Sequence, residues 1–236
     1  MRTPAHDPDK SAARMAGMFN GIAPHYDFLN HLLSFGFDYL WRRRLVGEVA
    51  KQQPRHILDA ATGTGDLALL LHRRTGADVT GIDIADGMLR IAKRKARRHA
   101  ALRFIQAQAE SLPFPDATFD AATVAFGVRN FERLPQALAE LLRVLKPGGT
   151  LAILELSTPL RFPLKQLYHL YAFRLIPLAG RLISAHRAAY GYLPRSIHAF
   201  PQREKFLLEL ERAGFTLLRC RSFTGGVCCL YTARKK

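Results

Sequence analysis

The sequence predicts an α/β protein built on a doubly wound, mostly parallel sheet with helices on both faces. Short apolar segments alternate with helical patterns between residues 56 and 156. A glycine-rich turn separates the first apolar segment from the first helical pattern, and the chain closes with a pair of strand-like segments. Strand and helix alternating at this rhythm indicate parallel strands joined by crossover helices.

Each predicted element follows from local signals. Short apolar segments bounded by turn residues predict parallel strands at 56–61, 78–84, 102–108, 119–126 and 150–156. Helical patterns occupy 65–73, 86–99, 131–145 and 202–213, the third stopped by "KPGG" and the fourth by Gly214. Segments 215–223 and 227–233, joined through Gly225 and Gly226, predict antiparallel strands, so we expect a C-terminal antiparallel strand in the sheet.

The chain has no internal repeat and no linker, which predicts a single domain over 1–236. We expect residues 1–13 to be flexible and residues 14–46 to form N-terminal helices on the substrate side. The stretch 158–193 is a long helical excursion rich in Leu, Tyr and Phe, which predicts a lid inserted after the fifth strand.

The charge balance is strongly basic. Thirty-five Lys and Arg face nineteen Asp and Glu, which gives a net charge of +16 and a pI near 10.4. Such a surface favours binding to nucleic acid or to an anionic membrane. A proteome that is basic in general, or selection for solubility, explains the charge equally well.

Cysteine usage and apolar patterning bear on the compartment. Cys220, Cys228 and Cys229 lack zinc-ligand spacing, and an odd count argues against a disulfide framework. Residues 1–10 lack the apolar core of a signal peptide, and no run of about 18 apolar residues exists. We therefore expect a cytoplasmic protein, without a metal site, that reaches a membrane only from the inner face.

The stretch "LDAATGTGDL" (58–67) carries the first binding signal. Gly63, Gly65 and Ala68 satisfy the dinucleotide fingerprint, with Asp83 about 20 residues further on. A dinucleotide, with its pyrophosphate on the helix N-terminus, is therefore one interpretation.

Two carboxylates beside the turn favour another ligand. Asp59 precedes the turn and Asp66 directly follows Gly65. A carboxylate there repels phosphate but suits the sulfonium and ammonium of S-adenosylmethionine. The Asp83 carboxylate would accept hydrogen bonds from the ribose hydroxyls of this cofactor. Alternatively, Asp66 is a favourable first-turn helix residue and Asp59 a turn residue. With the two C-terminal strands, the pattern favours a class I methyltransferase over a dehydrogenase.

Two further segments follow strands at the same edge of the sheet, where open α/β sheets bind ligands. Gln108 and Ala109 follow the third strand and either line an adenine or belong to an ordinary loop. Arg129 and Asn130 follow the fourth strand beside Gly127. They are either functional residues or a surface arginine followed by a helix cap.

The chain resembles the quinone-biosynthesis C-methyltransferases, which methylate demethylmenaquinol and in some bacteria also a ubiquinone precursor. The resemblance spans about residues 14–233. It rests on "MFNGIAPHYDFLNHLLSFGFDYLWRRRLV", "LDAATGTGDL", "GIDIADGML", "AESLPFPDATFD", "FGVRNF", "RVLKPGG", "YLPRSIHAFP" and "FTGG". "KPGG" and "LPFPD" occur across many methyltransferases, whereas "YDFLNHLLSFG…WRR" and "FGVRN" are much narrower.

The resemblance implies a Rossmann-like class I methyltransferase sheet and S-adenosylmethionine as cofactor. It assigns cofactor binding to Thr64, Asp83, Gln108 and Ala109, and it places Ala125 at a further cofactor contact. The glycine turn itself adds Asp59, Gly63 and Gly65 as candidate cofactor residues. Members that also serve the ubiquinone pathway often carry serine at the Ala125 position, so Ala125 favours a menaquinone enzyme over a dual-specificity one. Asn20 and His31 stand where many relatives carry aspartate.

Methylation of a ring carbon requires a quinol whose deprotonated hydroxyl makes that carbon nucleophilic. We expect Arg129 to stabilise the developing phenolate and Asn130 to orient the quinol oxygen. Tyr26 is expected to hydrogen-bond the other oxygen or to relay a proton. Asp27 is a candidate structural partner, and His25 an alternative base or an ordinary surface residue.

The polyprenyl tail of such a quinol needs an apolar site. Candidate lid residues, which alternatively pack the helices on the sheet, are Phe162, Leu167, Tyr168, Tyr171, Phe173 and Leu175. Candidate membrane contacts are Arg42 to Arg44, Arg161, Arg174, Arg181 and Arg187. The basic run 90–99 is interpreted as a solvated helix face.

Three other classes remain open. An RNA methyltransferase would suit the charge, but the sequence has no appended RNA-binding motif, so nucleic acid is not the expected partner. A binding protein on the same sheet would hold S-adenosylmethionine without turnover. A methyltransferase acting on oxygen or on another lipid is the nearest alternative, and the sequence leaves a homodimer open.

Overall fold

The computed structural model describes residues 11–175 and 187–236. Its described residues include one seven-stranded sheet of order β3-β2-β1-β4-β5-β7-β6. The strands are β1 (His56–Ala60), β2 (Asp78–Asp83), β3 (Leu102–Gln106), β4 (Phe119–Ala125), β5 (Leu145–Leu156), β6 (Thr216–Phe223) and β7 (Cys228–Arg234). Strands β1 to β5 are parallel, and β7 is antiparallel to both β5 and β6. The predicted fold class is confirmed.

Helices cover both faces of the sheet. Those described are α1 (Ala12–Ile22), α2 (Tyr26–Leu33), α3 (Phe37–Ala50), α4 (Asp66–Thr75), α5 (Asp86–Lys95), α6 (Leu134–Val144), α7 (Leu164–Leu170), α8 (Arg187–Ala199) and α9 (Glu204–Arg212). Within these ranges, no helix is long and apolar enough to cross a membrane.

Two apolar layers attach the helices to the sheet. One layer includes Leu58 of β1, Leu138 of α6 and Phe206 of α9. The other includes Leu45 of α3 and Leu71 of α4. Each fully buried side chain of this size contributes about 1.5–3 kcal/mol relative to its exposed state. The carboxyl ends of the central strands are thereby held as a rigid edge.

The helix predicted at 131–145 differs from α6 at both ends. Residues 132 and 133 lie outside it because their amide N–H groups donate to Glu110 Oε1, at 2.7 and 3.2 Å. Leu145 belongs to β5 because it has extended backbone angles and pairs with Phe119. Strand β5 therefore begins five residues before the predicted start at 150.

The N-terminal prediction also changes. Helix α1 begins at Ala12, whose amide N–H donates to Glu132 Oε2 at 2.9 Å. Residues 12 and 13 of the segment expected to be flexible thus lie in α1, and residues 1–10 lie outside the described part of the chain. Of the predicted lid 158–193, the structure describes α7, a π-helical turn (Tyr171–Leu175) and α8, while 176–186 are not described.

Candidate active site

Two adjoining cavities lie at the carboxyl ends of the central strands. The smaller, of about 700 Å³ including space open to solvent, lies over the glycine turn and the end of β2. The larger, of about 1810 Å³ on the same measure, lies among α1, α2, α3, α7 and α8. Phe19, Tyr26 and Phe126 line both cavities. A ligand in one cavity therefore faces a ligand in the other across these three rings.

Five of the predicted cofactor residues line the smaller cavity: Gly63, Asp83, Gln108, Ala109 and Ala125. Asp83 Oδ2 accepts a hydrogen bond from Gly63 N–H at 2.8 Å, and its Oδ1 accepts one from Ala85 N–H at 2.9 Å. Burial raises the pKa of Asp83 and outweighs these backbone donors. Each carboxylate oxygen keeps a lone pair for a further donor.

The other three predicted cofactor residues, Asp59, Thr64 and Gly65, do not line this cavity. Asp59 is turned into the interior, where the hydroxyls of Thr62 and Thr123 each donate to it at 2.7 Å. Burial raises the pKa of Asp59 to about 6, against those two hydrogen bonds. Its role in this structure is to hold the glycine turn against β4.

Thr64 and Gly65 face the helices rather than the cavity. The Thr64 hydroxyl donates to Asp27 Oδ1 at 2.5 Å. Gly65 has φ +83°, a left-handed conformation that glycine adopts without strain, and this ends the turn so that α4 begins at Asp66. Beside Gly65 lie Ala92 and the Phe104 ring, at 3.0–3.3 Å from where a Cβ would stand.

The prediction that the Asp66 carboxylate favours a cationic cofactor is wrong. Its Oδ1 accepts a hydrogen bond from Lys95 Nζ at 2.6 Å, and Asp27 Oδ2 accepts one from the same ammonium at 2.6 Å. The Asp66 carboxylate does not line the smaller cavity. This ion-pair network instead joins α2, α4 and α5, and it confirms Asp27 as a structural partner.

The three predicted catalytic residues come together where the cavities meet. Tyr26 lines both cavities, Arg129 lines the larger one and Asn130 the smaller one. Arg129 and Asn130 end a short 3₁₀ turn after β4. Gly127 allows this turn to pack on the glycine loop, because a Cβ on Gly127 would lie only 2.4 Å from Ala61 Cβ.

Arg129 is held by a buried acidic residue that the sequence analysis missed. Its Nη1 donates to Glu155 Oε1 at 2.6 Å and to the Phe126 carbonyl at 2.5 Å. Burial lowers the pKa of Arg129, but the Glu155 carboxylate, together with Tyr26 and Tyr192, acts in the opposite direction, so the net pKa is raised. The buried Nε of Arg129 has no hydrogen-bond partner among the described residues.

Tyr26 is a protonated phenol in this environment. Burial raises its pKa, although a hydrogen bond with Asn30 and the positive charges of Arg129 and Arg42 act in the opposite direction. A phenol with a raised pKa donates and accepts hydrogen bonds but is not a ready base. His25, the alternative base, is exposed and lines neither of these two cavities.

The larger cavity has an apolar wall. Its lining includes Leu29, Leu33 and Trp41 from the N-terminal helices and Leu164 and Ile197 from the lid side. Trp41 is fixed in the wall because its Nε1–H donates to Thr224 Oγ1 at 3.0 Å.

The predicted lid residues behave differently from one another. Leu167, Tyr168 and Tyr171 line the larger cavity, and Tyr171 also packs the elements together by donating its hydroxyl to the Leu33 carbonyl at 2.8 Å. Phe162 is 80% exposed and lies outside the lining. The side chains of Phe173, Leu175, Arg181 and Arg187 fall outside the described residues.

The arginines predicted to contact a membrane differ in their exposure. Arg42 is wrong as a membrane contact, because it is buried, donates to Asp38 Oδ2 at 2.6 Å and lies over the Phe126 ring. Arg43, Arg44, Arg161 and Arg174 are exposed.

The two unusual residues of the N-terminal motif have defined partners. Asn20 Oδ1 accepts a hydrogen bond from Gly87 N–H at the start of α5, at 2.8 Å. His31 Nδ1 lies 2.8 Å from Asp38 Oδ2 and stacks its ring on Tyr39. No cluster of metal-ligating side chains occurs at residues 11–175 or 187–236.

The sequence contained signals for some of the missed residues. Glu155 is a carboxylate inside the apolar run "LAILEL", and a charge buried in a strand requires a partner. Phe126 stands in the quoted "FGVRNF" motif, beside the residues that were selected. Phe19 likewise stands in the quoted motif "MFNGIAPHYDFLN", although only the packing of α1 brings it to the cavities.

Comparison with known proteins identifies the family. The model of the ubiE/COQ5 methyltransferase family matches residues 8–235. The demethylmenaquinone methyltransferase of Bacteroides fragilis is 44% identical over 236 residues, covering 98% of this chain and 96% of that protein. The demethylmenaquinone methyltransferase of Thermus thermophilus is 50% identical over 216 residues, covering 91% and 98%.

The name of a third relative includes both ubiquinone and menaquinone. The ubiquinone/menaquinone biosynthesis C-methyltransferase of Geobacter sulfurreducens is 44% identical over 227 residues, covering 94% of this chain and 88% of that protein. A solved SAM-dependent methyltransferase of Thermotoga maritima shares the fold, with a TM-score of 0.64 at 19% identity, over 94% of this chain and 100% of that one. The chain belongs to the ubiE/COQ5 methyltransferase family.

Proposed function

We propose that this protein is the S-adenosylmethionine-dependent C-methyltransferase that converts demethylmenaquinol to menaquinol. One observation carries the proposal: a smaller cavity that contains the Asp83 side chain and a large apolar cavity meet at Tyr26, Phe19 and Phe126. Family membership and relatives named demethylmenaquinone methyltransferase, 40–50% identical, support the same activity. A dehydrogenase, an RNA enzyme and a non-catalytic binding protein are all disfavoured by this family.

The smaller cavity fits S-adenosylmethionine. Asp83 offers carboxylate oxygens to the ribose hydroxyls, and Gln108 and Ala109 offer polar and apolar contacts to the adenine. Met88 and Phe131 add apolar lining on either side. Bound there, the cofactor supplies an electrophilic methyl group on a sulfonium.

The larger cavity fits a hydroquinone with a polyprenyl tail. Its apolar wall accepts the tail, and Tyr26, which lines both cavities, offers a hydroxyl where the two cavities join. This arrangement aligns a ring carbon with the smaller cavity and excludes water from the reacting atoms.

The residues at the junction stabilise charge on the quinol oxygen. Arg129 keeps its positive charge beside Glu155, and its guanidinium in the lining of the larger cavity stabilises the developing phenolate. Tyr26, kept protonated by burial, hydrogen-bonds the other oxygen or passes on its proton. Asn130 orients the quinol oxygen from the side of the smaller cavity.

A dual-specificity enzyme that also methylates the 2-methoxy-6-polyprenyl-benzoquinol precursor of ubiquinone is the second candidate. The Geobacter relative, which carries both names, favours it. Ala125, which lines the smaller cavity without a hydroxyl, favours the menaquinone enzyme.

We also propose that the protein takes its quinol from an anionic membrane. Phe35, Phe37 and Leu167, here called the apolar rim, line the larger cavity and are 75%, 44% and 59% exposed. The segment 157–203 contains seven Lys and Arg and no Asp or Glu. Exposed apolar side chains at a cavity that is lined in part by a segment whose charges are all basic suit the surface of an anionic bilayer.

An acceptor panel tests the proposed function. The purified protein is given S-adenosylmethionine carrying a radioactive methyl group, together with demethylmenaquinol, the benzoquinol precursor or total RNA. We expect transfer to demethylmenaquinol, with the benzoquinol measuring dual specificity. Transfer to RNA alone, or S-adenosylmethionine binding with no transfer to any quinol, would refute the proposal.

A further inference from the structure

A hydrogen bond joins the walls of the two cavities. The Tyr192 hydroxyl donates to Asn130 Oδ1 at 3.0 Å. Tyr192 lies in α8 and lines the larger cavity, whereas Asn130 ends the turn after β4 and lines the smaller one. The bond therefore lies in the region where the quinol ring must meet the methyl group.

We infer that Tyr192 is a positioning residue, which orients the Asn130 carboxamide so that its N–H groups face the quinol oxygen. The inference deepens the proposed function and rests on the role proposed there for Asn130. A carboxamide has one acceptor oxygen and one donor nitrogen. In this structure the oxygen accepts from the Tyr192 hydroxyl, so both amide N–H bonds point away from that hydroxyl and are kept for another partner.

Arg129 precedes Asn130 in the same 3₁₀ turn and lines the larger cavity, as Tyr192 does. Its Nη1 donates to Glu155 and to the Phe126 carbonyl, which fixes the turn that carries Asn130.

The position of Tyr192 also connects α8 to the turn after β4. Residues of α8 contact the 3₁₀ turn that carries Arg129 and Asn130. This contact brings the Tyr192 hydroxyl to Asn130.

The first test replaces Tyr192 by phenylalanine, which removes one oxygen and keeps the ring. We expect Tyr192→Phe to lower kcat by about tenfold, the effect of one lost hydrogen bond in the transition state. The KM for the quinol, the Kd for S-adenosylmethionine and the thermal stability should change by less than about twofold or 2 °C. Tyr39→Phe, an exposed ring outside both cavities, is the matched control and should keep wild-type kcat.

A double-mutant cycle distinguishes positioning from a separate effect. If Tyr192 acts through Asn130, the double variant Tyr192→Phe with Asn130→Ala will have the kcat of Asn130→Ala alone. Multiplied effects, or a wild-type kcat for Tyr192→Phe, would overturn the inference.

A spectroscopic measurement does not depend on turnover. The side-chain amide signals of Asn130, assigned by their loss in Asn130→Ala, should shift in a ¹⁵N–¹H spectrum of Tyr192→Phe. Unchanged signals would overturn the inference. A wild-type protein that transfers no methyl group to any quinol would instead refute the proposed function, so the two failures are distinguishable.

Discussion

The ion pair between Glu155 and Arg129 makes a quantitative prediction. Glu155 is 1% exposed, and its carboxylate accepts hydrogen bonds from Arg129 Nη1 at 2.6 Å, Arg129 N–H at 3.3 Å and Leu156 N–H at 2.8 Å. Glu155→Gln preserves the shape but removes the charge. The substitution removes the counter-ion of Arg129, a residue that is only 7% exposed. It also places the new side-chain NH₂ group against backbone N–H donors.

Breaking a buried pair from one side costs about 3–5 kcal/mol of the free energy of unfolding. For a chain of this size, that corresponds to a fall in Tm of about 6–20 °C. The same loss of charge balance should misplace Arg129 and lower kcat for quinol methylation. Urea denaturation, calorimetry and single-turnover methylation measure the three effects.

An exposed pair of the same type is the matched control. Lys51 Nζ lies 2.7 Å from Glu48 Oε2, with 64% and 34% of the two side chains exposed. Exposed pairs contribute about 0–1 kcal/mol, so Glu48→Gln should leave stability nearly unchanged and kcat at the wild-type value. If Glu155→Gln were as stable as Glu48→Gln, the guanidinium would not depend on Glu155 and the reasoning would fail.

Three further predictions concern the cofactor, pH and the membrane. Asp83→Asn should weaken S-adenosylmethionine binding about 10- to 100-fold in calorimetry, because a charged acceptor of the ribose hydroxyls is lost; an unchanged Kd would contradict this. Because burial raises the pKa of Asp59 to about 6, its contribution to stability is present below the unfolded pKa, near 4, and is lost as the pH rises through 6. The unfolding free energy of wild type relative to Asp59→Asn should thus fall by up to about 3 kcal/mol between pH 4 and 8, and a pH-independent difference would contradict the raised pKa. Replacing Phe35 and Leu167 by serine should weaken binding to anionic vesicles at least about tenfold, whereas serine at the exposed Leu208 of α9 should not; equal effects would contradict docking through the apolar rim.

The predictions that held depended on signals a few residues apart. The turn at Gly63 and Gly65, the strand ending at Asp83 and the pair of C-terminal strands all follow from local patterns of glycine and apolar residues. Local backbone conformation is nearly determined at such sites, since glycine adopts left-handed angles that other residues avoid.

The predictions that failed involved partners distant in sequence. Asp66 was given a role in selecting the ligand, but Lys95, 29 residues away, pairs with its carboxylate. Arg42 was assigned to a membrane surface, but its guanidinium lies over the ring of Phe126, 84 residues away, and pairs with Asp38 of the same helix. Alternating charges along a sequence do not reveal which charges the packing of helices will bring together.

The predicted catalytic residues were found from local signals, but the residue that holds one of them was not. Tyr26, Arg129 and Asn130 were selected by type and by position relative to strand ends, and they meet at the junction of the cavities. Glu155, which holds Arg129, comes from a neighbouring strand 26 residues away and had only its charge as a signal.

The position of the transferred methyl group tests the central claim most directly. The protein is incubated with S-adenosylmethionine carrying a deuterated methyl group and with dithionite-reduced demethylmenaquinone, and the product is fragmented in a mass spectrometer. The account predicts the labelled methyl on a carbon of the naphthoquinone ring, with the label absent in Arg129→Ala although cofactor binding persists. A label on oxygen, or full transfer by Arg129→Ala, would contradict it.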